Sequence, residues 1–213
     1  MTIPSGTPRP KGLFLDFGGV LTTPVAPCTR AFCLREGLAP DAFLNVIATD
    51  PVGKELYRDL ERGAIPQAEW NERTGDLLGI DGTDLIGRAL ADLRPEPALI
   101  TAARAARRAG VKVGVLSNSL GSGPYDPYRG YGLATDYDVV VLSGDHATRK
   151  PEAEIYAIAL ESMQLPATDC VFVDDSPRNL PPAQNLGMAV VLDTDPSETV
   201  TRLEDALGIS LRQ

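Results

Sequence analysis

The stretch GLFLDFGGVLT, residues 12–22, decides the fold. An apolar run leads into one acidic residue, Asp16, and the glycine pair Gly18–Gly19 follows almost at once. Such a run predicts a buried strand over residues 12–17, and the glycines mark an abrupt turn where another group can approach closely. Further apolar runs predict strands at residues 111–117, 138–143, 170–173 and 188–192. Between them lie helical patterns: residues 97–110, with a glycine stop, residues 151–163, and a segment ending at Gly187. Strands alternating with helices are the pattern of βαβ units, so the expected fold is α/β, a three-layer, Rossmann-like parallel sheet.

The texture changes between residues 23 and 94, where no strand-like run occurs. Segments such as 54–62 and 67–78 mix apolar and charged residues at helical spacing. This predicts a small helical cap inserted after the first strand, over the carboxyl ends of the sheet where open α/β folds bind ligands. The expected division is a core of residues 12–22 and 95–213, a cap of residues 23–94, and a flexible, uncleaved N-terminus of residues 1–11.

With 213 residues and 43% hydrophobic content, the chain can bury such a core and its insert. A formal charge of -9 argues against a nucleic-acid partner, which would call for a basic face, and against an anionic membrane surface. A small phosphorylated metabolite stays compatible, because a local cluster of cations and N–H groups overrides the global sign at short range. Three cysteines, Cys28, Cys33 and Cys170, show no CxxC spacing, so neither a disulfide framework nor a zinc site is expected. A reducing, cytoplasmic setting is the simple reading. The oligomeric state is open.

Four signatures fall at predicted strand ends, which converge on one crevice in a parallel sheet. They are Asp16 in LFLDFGGVLT, Ser117 and Asn118 in VGVLSNS, Lys150 in TRKPEAEIY before a helix start at Pro151, and Asp174–Asp175 in VFVDDSPRN, with Asn179 a turn later. Singly, these are ordinary turn, capping or solvated residues. Their joint order resembles the haloacid dehalogenase superfamily, in particular its phosphatase-like members with a helical cap, and the resemblance runs from Gly12 to about Leu207.

The resemblance implies a Mg²⁺-dependent hydrolase acting on a small organic phosphate. Asp16 would be the nucleophile and form an aspartyl-phosphate. Mg²⁺ would be held by Asp16, the Gly18 carbonyl, Asp175 and Asp174, since hard oxygen ligands suit it. Ser117 and the Asn118 N–H would hold phosphoryl oxygens, and Lys150 would pair with Asp16 and with the phosphoryl charge. One departure stands out. Most phosphatases of the superfamily carry a second Asp two residues after the nucleophile, where this chain has Gly18. Losing such an acid/base group commonly costs on the order of 100- to 10,000-fold.

Three explanations stay open. The substrate has a good leaving group; or a cap residue supplies the proton, with Asp50, Glu55, Tyr57, Arg58 and Asp59 as candidates; or the chain is slow or inactive and senses a phosphorylated metabolite. Dehalogenation is weighed and set lower, because superfamily dehalogenases lack the acidic pair that Asp174 and Asp175 form. His146 is expected in a surface loop, Cys28 and Cys33 in the cap or its hinge, and Trp70 with Tyr57 between cap helices.

Overall fold

The computed structural model describes residues 9–212. The first strand, β1 (Gly12–Leu15), is buried along its whole length and sits at the centre of a parallel sheet. It is flanked by β2 (Lys112–Ser117) and β4 (Cys170–Asp174); β3 (Val139–Leu142) and β5 (Ala189–Leu192) form the edges, in the order β3-β2-β1-β4-β5. All neighbours pair in parallel, Leu13 opposite both Val113 and Val171.

Side chains alternate across this sheet, and each face therefore has its own core. Leu13, Leu15, Val113, Val115, Val171 and Val173 face one way, against α6 (Pro97–Arg108) and α10 (Pro196–Leu207). Phe14, Leu116 and Phe172 face the other way, against α8 (Ala153–Met163) and α9 (Leu180–Asn185). Both faces being covered explains why the strands read as continuous apolar runs rather than as alternating ones. A short helix, α7 (Leu133–Asp136), precedes β3.

The helical insert follows β1 as expected: α1 (Val25–Arg35), α2 (Ala42–Ala48), α3 (Pro51–Glu61), α4 (Gln67–Leu78) and α5 (Leu85–Ala89). It has a core of its own, around Phe32, Phe43, Leu56, Leu60, Trp70 and Ile86. Asp50 caps α3, its Oδ1 accepting from the N–H groups of Val52 and Gly53 at 3.0 and 2.8 Å, with Pro51 at the first helical position. The insert's two connections lie side by side: Thr23 N–H donates to the Arg94 carbonyl at 2.8 Å, and Glu96 N–H to that of Leu21 at 2.9 Å. At the opposite corner Gln67 donates to the carbonyls of Leu120 and Tyr125 at 2.9 and 3.0 Å, and Arg62 pairs with Glu152 at 2.5 Å.

Expectations change at the edges of two elements, β1 and α8. The first strand ends at Leu15, because the Asp16 carboxylate turns back to take the Phe17 N–H at 2.6 Å. The helix expected from Pro151 begins at Ala153, because the Lys150 backbone is held on both sides by the Asn118 side chain: its N–H donates to Oδ1 at 2.8 Å and its carbonyl accepts from Nδ2 at 3.1 Å. Of the N-terminal segment, residues 1–8 lie outside the described residues; Arg9 donates to the Gly208 carbonyl and Lys11 pairs with Asp169 at 2.8 Å. Among the described residues no helix is long and apolar enough to cross a membrane.

Candidate active site

Asp16 stands where β1 ends, and the turn after it is shaped by its two glycines for different reasons. Gly19 has φ +82°, and a Cβ there would lie 2.3 Å from Asp175 Oδ2; only glycine serves both conditions. Gly18 is unlike it. Its φ and ψ are an ordinary −71° and 120°, and an added Cβ would meet only Val25 Cγ2, at 3.5 Å. Neither backbone nor space requires glycine at position 18.

Lys150 links the strand ends. Its side chain is 1% exposed, and its Nζ lies 2.7 Å from Asp16 Oδ1 and 2.7 Å from Asp174 Oδ2. Burial alone would lower its pKa, but the two carboxylates outweigh that and raise it, so the ammonium stays charged. Asp174 is fixed further by Asn179, whose Nδ2 donates to both carboxylate oxygens at 2.9 and 3.1 Å, and by the Ser176 N–H at 2.8 Å.

Asp175 completes a cluster in which one oxygen each from Asp16, Asp174 and Asp175 lies within 4.8 Å of the others. Burial lifts Asp16 well above the usual carboxylate range; Lys150 opposes this, while Asp174 and Asp175 add repulsion. Asp175, at the rim, is pushed up to about 6 by partial desolvation and by Asp174. Three carboxylates this close, with one shared ammonium, fit a hard divalent cation with oxygen ligands.

Ser117 and Asn118 close the site from β2. Ser117 Oγ lies 3.3 Å from the Asn118 carbonyl and 3.5 Å from the Tyr128 hydroxyl. All of the residues expected at the site therefore come together: Asp16, Gly18, Ser117, Asn118, Lys150 and Asp175 line one cavity of about 510 Å³, and Asp174 sits behind Lys150. The insert and its connections add an apolar part of the lining, formed by Val25, Leu44, Ile47, Ala48, Leu90 and Leu93. Lys54, Arg58, Arg149 and Arg178 add cationic groups.

Several neighbours escaped the sequence reading. Glu61, at the end of α3, lies in the cavity wall beside Arg149. Its helical spacing gave no sign of this; it is buried only because the insert docks on the core. Arg149 had a faint signal, its place next to Lys150. Of the five cap candidates for proton transfer, Tyr57 and Arg58 line the cavity. Asp50 is the cap of α3, and Glu55 pairs with Arg58 at 3.1 Å on the exposed side. Burial raises the Tyr57 pKa, so its phenol stays neutral. Trp70 is buried with its ring 6.0 Å from that of Tyr57, Cys28 and Cys33 are buried and unpaired, and His146 is exposed.

Residues 10–187 match the family described as a haloacid dehalogenase-like hydrolase. A sesquiterpene phosphatase of Aspergillus oryzae is 26% identical over 202 residues, covering 93% of this chain and 97% of the relative. A glyceraldehyde 3-phosphate phosphatase of Methanocaldococcus jannaschii is 30% identical over 103 residues, about half of each chain. The structure of a HAD family enzyme from Bacteroides thetaiotaomicron, complexed with magnesium and inorganic phosphate, superposes with a TM-score of 0.63 at 22% identity, over 86% of this chain and 94% of that one. That last likeness is one of fold.

Proposed function

We propose, because the chain belongs to the haloacid dehalogenase-like hydrolases, that it is a Mg²⁺-dependent phosphatase of small organic phosphates working through Asp16. The observation that carries this reading is the Lys150 ammonium between Asp16 and Asp174, with Asp175 alongside, at the floor of one cavity. Residues 12–22 and 95–213 form the catalytic core, and residues 23–94 the cap.

The Asp16 carboxylate attacks phosphorus; its Oδ1 is held by the Phe17 N–H and Lys150, which fixes its direction. Ser117, the Asn118 N–H and Lys150 take the phosphoryl oxygens and their charge, the electrostatic part that dominates such transfers. Asn118 also holds Lys150 in place through its side chain. Asp16, Asp174, Asp175 and the Gly18 carbonyl would hold Mg²⁺, which when bound supplies positive charge that keeps Asp16 ionised and neutralises the phosphoryl group. The apolar wall suits an ester with an apolar body, and the sesquiterpene phosphatase among the relatives supports that class. A cytoplasmic setting fits the three unpaired, buried cysteines.

The test is phosphate release from a panel of alkyl, terpenyl, sugar and aryl phosphates, with Mg²⁺ and with chelator, for wild type and Asp16→Asn. Release that needs metal and falls on the order of 10⁴-fold in Asp16→Asn is expected. Mg²⁺ binding without release across the panel would leave a phosphometabolite-binding protein, and release indifferent to chelator would end the metal-dependent mechanism.

A further inference from the structure

Three carboxylates line the cavity: Asp16, Asp175 and Glu61. The first two sit at strand ends and have parts in the scheme above. Glu61 comes from the insert, lines the same cavity and has no part in that scheme.

Its surroundings are unusual for a structural residue. Glu61 is 3% exposed and Arg149 8%, and their Oε2 and Nε lie 2.5 Å apart. Yet neither atom makes an aligned hydrogen bond, nor does Asn179 Oδ1 in the same cavity wall. Buried polar groups are almost always paired, and the Glu61 carboxylate meets this through its ion pair with Arg149 while still lining the reaction cavity. The Glu61 backbone is anchored, its carbonyl accepting from Ser143 Oγ, so the side chain is presented from a fixed base. Meanwhile position 18 offers no side chain, although it has room for one.

We propose that Glu61 is the proton-transfer group of this site, in the lining of the same cavity as the glycine where related phosphatases carry their acid. This rests on the phosphatase reading above. In the first step the Asp16–phosphorus bond forms, the ester oxygen–phosphorus bond breaks, and the Glu61 carboxyl gives its proton to the departing alkoxide. In the second, water adds to phosphorus, its proton passes to the Glu61 carboxylate, and the Asp16–phosphorus bond breaks to release phosphate. Burial lifts the Glu61 carboxyl above its ordinary range, opposed by Arg149, then Arg178, a hydrogen bond from the Asn118 side chain, and Lys150.

The experiment compares kcat/KM of Glu61→Gln and wild type on the best alkyl phosphate of the panel and on a nitrophenyl phosphate, whose leaving group needs no proton. The alkyl ester should lose on the order of 100- to 10,000-fold, and the nitrophenyl ester less than tenfold. The ratio of the two is independent of how much of the variant folds. With the nitrophenyl ester, kcat should fall and a burst of one equivalent of nitrophenol should appear, since return of the proton to Glu61 is common to all substrates. In a Gly18→Asp background, where the backbone and the space for a Cβ both permit a side chain, Glu61→Gln should cost less than tenfold on either ester. Equal losses on both esters would make Glu61 a structural residue, and unchanged kinetics would remove it from the reaction; either overturns the proposal while leaving the phosphatase reading intact. Absence of release by wild type itself would end both.

Discussion

The floor and the wall of the cavity are built on opposite principles. On the floor the central polar groups are held by one another: Asp16 and Asp174 by Lys150, Lys150 by Asn118, Asp174 by Asn179 and Ser176. The wall is mostly aliphatic, and Leu44, Ile47 and Ala48 contribute shape rather than directed bonds. A rigid polar floor preorganises charge for one reaction, while an apolar wall discriminates among bodies of different size only weakly. One chemistry with an adaptable specificity is what that difference teaches.

The most severe way to break the contrast is to empty the floor's centre. Lys150→Met leaves Asp16 and Asp174 buried without their ammonium, so phosphate release should fall on the order of 100- to 1,000-fold. In chelator, stability should drop by about 3–5 kcal/mol, the usual cost of orphaning one side of a buried ion pair. Thermal melts should show Mg²⁺ recovering part of it. A rate loss below tenfold would mean that the floor is not where the chemistry occurs.

A smaller effect belongs to the wall. Ile47→Trp should lower kcat/KM on the order of tenfold for bulky apolar esters and leave small phosphates nearly untouched. A uniform loss across the panel would show that this side of the insert acts on the floor instead of on the substrate body.

The gentlest probe is pH at the rim. Asp175 titrates near 6 against an ordinary value of 3.8, so in chelator its contribution to stability is present below pH 3.8 and is lost as pH rises through about 6. Mg²⁺ reverses the preference, because it binds the ionised carboxylate. The gap in melting temperature with and without Mg²⁺ should therefore widen from pH 5 to pH 7. A constant gap would exclude Asp175 as a metal ligand.

Much of the fold and nearly all of the floor were legible before any coordinates. Asp16, Ser117, Lys150 and the Asp174–Asp175 pair each follow a strand signal or a turn signal a few residues long, and local sequence records such signals. The glycine pair was legible only as a pair: both residues read as turn formers, and the structure shows that Gly19 is demanded by its backbone and by Asp175, whereas Gly18 is not. Asn118 was read for its N–H, while its side chain also anchors the Lys150 backbone.

The sequence by itself therefore determined the parallel sheet, the helical insert and the order of residues on the floor, because strand periodicity and turn chemistry act over a handful of neighbours. Only the tertiary structure decided which face of the insert meets the core. That docking buries Glu61 against Arg149, puts Ile47 and Leu90 in the same cavity as Asp16, and leaves Asp50 outside as a helix cap. Such contacts join residues far apart along the chain, and no local spacing rule distinguishes a helix face turned to a core from one turned to a cavity.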